Sequence, residues 1–233
     1  MGIYADIKED FSNAYKNDPA LTSRLDFIFN YPGVWAVAWH RIAHRLYNSN
    51  CKRCARLIMG FTQIFTHIDL HPAAIIGKRV FIDHGNGVVI GETSIIEDDV
   101  LIYQGVTLGG VSLTHGKRHP TIKRGAVIGA GAKVLGNISI GENAKIGANS
   151  VVVKTVPDCS TAIGIPAHVI EKGRCKDPLM HNMLPDINKE MFEYLLKRVA
   201  ILEHILVEDN KSLLEEDLEL ENIYESFIKA MKN

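Results

Sequence analysis

The sequence predicts a β-solenoid of short stacked strands with helices on either side of it, and three observations predict this. Aliphatic residues recur every six positions at Ile122, Ile128, Val134, Ile140, Ile146 and Val152, after runs at Ile90, Ile96, Ile102, Leu108 and at Ile64, Leu70, Ile76, Ile82. Glycine often follows the aliphatic residue, as at Gly77, Gly91, Gly109, Gly129, Gly141 and Gly147. A small or β-branched residue usually stands four places after it: Val80, Val100, Val106, Ala126, Ala132, Ala144 and Ser150. A period of six fits neither a 3.6-residue helix nor a two-residue strand alternation. It fits short flat strands joined by tight corners, with the aliphatic residue pointing inward. Inward side chains of successive coils then stack into a column that buries apolar surface. Each coil leans only on its neighbours, so the ends need caps.

The period slips twice. Ile82 and Ile90 are eight apart, and Leu108 and Ile122 are fourteen apart, which is one hexad plus eight residues. A solenoid gains nothing from insertions in its core, so both should be surface loops, and such loops often line a binding face. The first slip contains Asp83-His84-Gly85-Asn86-Gly87. The second contains Gly110-Val111-Ser112-Leu113-Thr114-His115-Gly116-Lys117-Arg118-His119-Pro120.

Residues 1 to about 62 read as helical. Pro32 suits a first helical turn, and Trp35, Ala38, Trp39, Ile42 and Leu46 form a helical stripe expected to pack on the solenoid or on a partner. Residues 177–233 return to a helical pattern. Phe192, Leu195, Val199, Leu202 and Leu206 make a seam of about two heptads, fit either for an oligomer axis or for the chain's own solenoid.

Composition narrows the function. The net charge of -1 offers no global field for nucleic acid or an anionic membrane. No apolar run approaches the roughly 20 residues of a membrane span. The start, MGIYADIKEDF, lacks the basic and apolar regions of a signal peptide, so a cytoplasmic protein is expected. Cys51-Lys52-Arg53-Cys54 has no second half at zinc-finger spacing, so two free thiols on a helix are expected.

The hexad pattern resembles the hexapeptide-repeat transferases. The resemblance implies a left-handed parallel β-helix with three hexads per coil; the left hand comes from the resemblance alone, because crossovers are otherwise right-handed. The expected organisation is an N-terminal α-helical domain over 1–62, the β-helix over 63–170, and C-terminal helices over 171–233. Within the superfamily the chain is similar to the serine O-acetyltransferases. The segments that carry this are Asp69-Leu70-His71-Pro72-Ala73-Ala74, Asp83-His84, Gly91-Glu92-Thr93, Val106-Thr107-Leu108-Gly109-Gly110, Arg118-His119-Pro120, the run Ile128 to Asn137, and Gly164-Ile165-Pro166-Ala167. The implied reaction moves the acetyl group of acetyl-CoA, a co-substrate, to the hydroxyl of L-serine in cysteine biosynthesis, with no bound cofactor and no metal.

The residues fit that chemistry. A serine hydroxyl is a weak nucleophile and needs a base as it attacks a thioester. Histidine is the side chain suited to this task near neutral pH, His84 is the candidate, and Asp69 matches the family carboxylate that orients it. Free serine is a zwitterion. Arg118 offers its carboxylate a two-pronged partner, with His119 beside it, and Asp83 and Asp18 match the family's ammonium ligands. A backbone N–H of Gly109 or Gly110 suits the oxyanion. Ala130, Lys145 and Ala148 match positions that carry acetyl-CoA along a groove between subunits.

The resemblance further implies a homo-oligomer, trimer or dimer of trimers, inhibited by L-cysteine at the serine site. The chain ends Ala230-Met231-Lys232-Asn233 where docking members end in isoleucine, so a complex with O-acetylserine sulfhydrylase is not expected. Lys117 stands where the family has an acidic residue. Three alternatives remain at this stage: an acetyltransferase for a sugar or xenobiotic hydroxyl, a zinc lyase using interface histidines, and a non-catalytic scaffold.

Overall fold

The computed structural model describes residues 3–17, 30–171 and 192–202. Three helices come first: α1 (Ile3–Asn17), α2 (Pro32–Asn48) and α3 (Lys52–Thr66). Short strands follow in a strict rotation over three sheets. Sheet A holds β1 (Asp69–Leu70), β4 (Val89–Ile90), β7 (Thr107–Gly109), β10 (Lys133–Leu135) and β13 (Val151–Val152). Sheet B holds β2 (Ile75–Ile76), β5 (Ile95–Ile96), β8 (Thr121–Ile122) and β11 (Ser139–Ile140). Sheet C holds β3 (Phe81–Ile82), β6 (Leu101–Ile102), β9 (Val127–Ile128), β12 (Lys145–Ile146), β14 (Thr161–Gly164) and β15 (Ala167–Glu171). Every third strand pairs in parallel, so one coil is three strands on three faces.

The register gives the length of each coil. Lys133 pairs with Val151 and Val127 with Lys145, eighteen residues apart, which is three hexads. Asp69 pairs with Val89, twenty apart, and Thr107 with Lys133, twenty-six apart. The first slip therefore adds two residues to a coil and the second adds eight. Neither breaks the ladder, and both leave it at a corner.

The column predicted from the hexads is the core. Ile90, Ile96, Ile102, Leu108, Ile122, Ile128, Val134, Ile140, Ile146 and Val152 are each at most 1% exposed. Val100, Val106, Ala126, Ala132, Ala144 and Ser150, just before the following strands, are buried with them. The column begins at Leu70, not at Ile64. Helix α3 runs to Thr66 and buries Ala55, Met59, Thr62 and Thr66 at helical spacing, which leaves Ile64 off that face and 66% exposed.

Helix α2 starts at Pro32, as the sequence implies. Its inner face only partly follows the expected stripe. Gly33, Val34, Ala36, Val37, Ala38, His40 and Ala43 are buried and Leu46 packs on the core, while Trp39 is 46% exposed. The cause is close approach: a Cβ on Gly33 would stand 2.0 Å from the carbonyl oxygen of Ile82, so small residues face the solenoid. Trp35 and Trp39 instead line a groove of about 500 Å³ with Ile58, Phe61 and Phe65 of α3. Ala36, Val37, Ala43, Ala55 and Met59 share one apolar cluster with the solenoid, so α2 and α3 cap its first coil. At the other end β15 pairs antiparallel to β14, after the Gly164–Ala167 turn.

Charged groups fasten α1 to the corner between sheets B and C. Asp10, 5% exposed, accepts from Arg41 at 2.6 and 3.0 Å and from the Arg79 backbone N–H at 3.0 Å. Arg79 also pairs with Glu9 and, at 2.5 Å, with Asp99, which pairs in turn with Arg124 one coil on at 3.0 Å.

Residues Met1–Met183 form one compact unit and Leu184–Asn233 a second. In the second, residues 192–202 are helical and carry Phe192, Leu195, Val199 and Leu202 of the expected seam, all partly exposed. Leu206 lies outside the described residues. No helix among the described residues is long and apolar enough to cross a membrane.

The Arg79 and Arg124 guanidiniums hold the Asp99 carboxyl below its ordinary value of 3.8 against the opposing effect of burial. A depressed folded value means stability that is present above pH 3.8 and lost as pH falls through the folded value. Thermal melts should therefore show Asp99→Asn less stable than the parent at pH 7. The difference should hold down to about pH 5 and close below about pH 3.8. A gap that persists in acid would contradict the assignment.

Candidate active site

The corner from sheet C into sheet A carries the first set of predicted residues. Asp83 donates its backbone N–H to Ile102 O at 2.8 Å, which holds it in line with sheet C. His84 follows, exposed, with φ +57°. Arg79, Asp99, Asn143 and Asn149 take the same left-handed conformation at other corners, so this φ belongs to the coil's turn and not to chemistry. Gly87 N–H donates to His67 O and Asp69 N–H to Val88 O, both at 2.9 Å. These bonds lay the His84 turn against the start of β1, where Asp69 is exposed. Among the described residues neither the Asp69 nor the His84 side chain has a hydrogen-bond partner. Tyr103 occupies the same corner one coil on; burial, and then the charge of Asp83, push its hydroxyl pKa up. Ala130 is half-buried at this corner and its carbonyl accepts from Asn149 N–H at 2.7 Å. Ala148 is exposed beside it. Lys145 is off the corner, on β12 of sheet C.

The corner from sheet A into sheet B carries the second set. Gly91-Glu92-Thr93 follows β4, Gly110 follows β7, and the inserted loop returns at Arg118-His119-Pro120 just before β8. Arg118 donates to Glu92 at 2.5 Å. Its guanidinium holds the Glu92 carboxyl below the ordinary range, with burial opposing. The Thr93 hydroxyl oxygen accepts the backbone N–H groups of Arg118 at 3.0 Å and His119 at 3.1 Å. Lys117 Nζ donates to the carbonyls of Thr93 at 2.6 Å and Pro120 at 3.2 Å. Lys117 thus fastens the base of the loop to the preceding coil. The span from Val111 to Lys117 is exposed.

His119 is 8% exposed. Its Nδ1 accepts from Thr93 N–H at 3.2 Å and lies 2.9 Å from Thr93 Oγ1. Its Nε2 lies over Gly91, where a Cβ would stand 2.0 Å away, and beside Gly110, where a Cβ would stand 3.2 Å away. Glycine at 91 is therefore what admits the ring. Burial first, then Arg118 and Lys117, push the His119 pKa down, so the ring is neutral at pH 7. His71 sits at the same corner, with Nε2 2.9 Å from Arg56 and Nδ1 accepting Ala73 N–H at 3.1 Å. Burial and then Arg56 lower its pKa.

The structure thus gathers the predicted residues into two sets at opposite ends of the sheet A strands, with Asp69 on the face between them. One corner holds Asp83, His84, Ala130 and Ala148. The other holds Gly110, Arg118 and His119. Asp18 lies outside the described residues. Cys51 and Cys54 are free and exposed, and no group of three or more His, Cys, Asp or Glu among the described residues is placed to hold a metal. Sequence reasoning assigns no contact to Glu92 and Thr93, although both lie within a quoted motif, and it marks Lys117 only as a departure from the family's acidic residue. Their partners are about 25 residues away and meet them only through the coil.

The arrangement can do two things. A cation beside a neutral N–H donor suits a carboxylate, and an exposed, unpartnered imidazole can take up a proton.

Comparison with known proteins agrees. A family model described as bacterial transferase hexapeptide (six repeats) matches residues 119–154. A serine acetyltransferase of Mycobacterium tuberculosis is 50% identical over 198 residues, covering 84% of this chain and 86% of that protein. One of Synechococcus elongatus is 46% identical over 202 residues, 86% of this chain and 83% of that protein. Among solved structures, a serine acetyltransferase in complex with cysteine superposes with TM-score 0.73 at 42% identity, over 78% of this chain and 70% of that one. The Brucella abortus enzyme in complex with coenzyme A gives 0.70 at 42%, over 74% and 69%. The solenoid is accordingly the left-handed parallel β-helix of these proteins.

Lys117→Met should free the loop base without touching the core. Limited proteolysis should then cut between Val111 and Gly116 several times faster than in the parent, at an unchanged melting temperature. Equal cutting rates would show that Lys117 does not restrain the loop.

Proposed function

The chain belongs to the serine acetyltransferases, and on that premise we propose that His84 is its general base, oriented by Asp69, and that Arg118 with His119 receives the carboxylate of serine. The enzyme transfers the acetyl group of acetyl-CoA to the hydroxyl of L-serine, giving O-acetyl-L-serine and CoA. The observation that carries the site reading is the corner at Arg118 and His119, a guanidinium beside a neutral ring N–H, which suits an amino-acid carboxylate and has no task on a sugar hydroxyl.

The serine hydroxyl attacks the thioester carbonyl as His84 takes its proton. Asp69 stabilises the imidazolium that forms; the backbone bonds between the His84 turn and the start of β1 support this pairing. The tetrahedral oxyanion meets an N–H of Gly109 or Gly110. Collapse breaks the carbon–sulfur bond, and the CoA thiolate leaves with the proton that His84 returns. Asp83 and Asp18 take the serine ammonium. Ala130 and Ala148, small residues on the His84 corner, leave room for the pantetheine arm, and Lys145 meets a CoA phosphate.

The two sets of residues stand at opposite ends of the sheet A strands, so a site between neighbouring subunits is the reading that unites them. The exposed apolar side chains Ile75 and Val89 on the solenoid and Leu57, Phe61 and Phe65 on α3 support a homo-oligomer. Trimer and dimer of trimers both fit. L-Cysteine carries serine's carboxylate and ammonium with a thiol in place of the hydroxyl, so it competes for the same receptor; the solved relative with cysteine bound supports this.

Thiol release from acetyl-CoA should require L-serine in preference to homoserine or a galactoside, and His84→Ala should lower it roughly 10²–10⁴-fold. Release with the sugar and not with serine would overturn the assignment of Arg118 and Asp83. Asp18→Asn should raise the KM for serine and leave that for acetyl-CoA unchanged, measured by initial rates; an unchanged serine KM removes Asp18 from the site.

A further inference from the structure

We infer that Thr93 is a positioning residue that holds His119 as its Nε2–H tautomer, so that His119 offers the carboxylate of serine a neutral N–H donor beside Arg118. The inference rests on the reading of Arg118 and His119 as the carboxylate receptor.

The direction of each hydrogen bond fixes the tautomer. The Thr93 backbone N–H can only donate, and it reaches His119 Nδ1 at 3.2 Å. The Thr93 hydroxyl oxygen already accepts two backbone N–H groups, from Arg118 and His119. Its own hydrogen is left for Nδ1, 2.9 Å away. Both contacts require a bare lone pair on Nδ1, and a neutral imidazole then carries its proton on Nε2.

Nε2 is the ring nitrogen that the Thr93 contacts leave available, and it lies over Gly91 and next to Gly110 and Arg118. No side chain among the described residues accepts from Nε2. The tautomer decides the sign of any contact made there. A proton on Nε2 attracts a carboxylate oxygen, whereas a proton on Nδ1 would present a lone pair and repel it.

The hold on Thr93 is itself built. Lys117 Nζ donates to the Thr93 carbonyl at 2.6 Å, so the loop that brings Arg118 also grips Thr93. Thr93 therefore links three things: the corner after β4, the return of the inserted loop, and the proton position on His119. A threonine kept only for turn geometry would need none of the side-chain contacts to Nδ1.

The test uses the full-length enzyme with 15N-labelled histidine. The His119 signals are identified by their loss in His119→Asn. The parent and Thr93→Ser should show His119 neutral with the proton on Nε2. Thr93→Val, which is close in shape and lacks the hydroxyl, leaves Nδ1 only the longer backbone contact of 3.2 Å, and part of the population should then take the Nδ1–H form. The serine KM of Thr93→Val should rise roughly tenfold, as for loss of a hydrogen bond to a charged group. Its kcat and acetyl-CoA KM should stay within about threefold, and Thr93→Ser should restore the serine KM. A Thr93→Val enzyme with the parent's tautomer and serine KM overturns the inference, as does failure of serine to rescue. If His119→Asn leaves the serine KM unchanged while the Thr93→Val tautomer still shifts, the carboxylate reading has failed and takes the inference with it.

Discussion

Strands of two or three residues cannot stand alone, and everything in this protein follows from the way they are made to stand together. Each contributes one large aliphatic residue to a central column, and each takes its backbone hydrogen bonds from the coils before and after it. The burial that stabilises one coil is supplied by its neighbours. Two constraints result. The first and last coils must be covered, which α2 and α3 do at one end and β15 at the other. Extra residues can enter only at corners, where they leave the column and the ladder intact. The coils of twenty and twenty-six residues show this, since their strands keep the register of the eighteen-residue coils.

Three corners then remain for three tasks. The corner between sheets B and C is a ladder of opposite charges, Arg79, Asp99 and Arg124, that runs from coil to coil and fastens α1. The corner between sheets C and A carries His84 in an exposed turn. The corner between sheets A and B receives the inserted loop and sets Arg118 and His119 against Glu92 and Thr93. Pairs across adjacent coils recur at all three, because the solenoid brings residues one coil apart close together wherever the backbone turns.

The two histidines proposed for the site stand in opposite environments. His84 is exposed and its side chain is unpartnered among the described residues. His119 is buried, flanked by Arg118 and Lys117, and bound through Nδ1, so it resists protonation and keeps one N–H fixed. A base needs a ring that changes charge during the reaction; a receptor needs one that does not.

The six-residue period made the fold readable before any contact was known. A hexad leaves a trace at every coil, and the two slips in it marked both loops that carry the candidate chemistry. The family segments likewise named His84, Asp69, Arg118 and His119. Where the period and the helix met, the sequence misled: Ile64 keeps the six-residue spacing yet belongs to α3. Of the stripe expected on α2, Ala38 and Leu46 meet the core, whereas Trp35 and Trp39 line the groove beside α3, because close helix packing wanted Gly33, Ala36 and Val37 against the solenoid. What the sequence by itself determined is the column, the corners and the residue types at them, all of which are local and periodic. Only the tertiary structure decided that Glu92 grips Arg118, that Thr93 meets His119 Nδ1, that Lys117 reaches back to Thr93, and that the candidate residues fall into two sets. Those are contacts between coils, and their strength depends on direction and burial, which no spacing along the chain records.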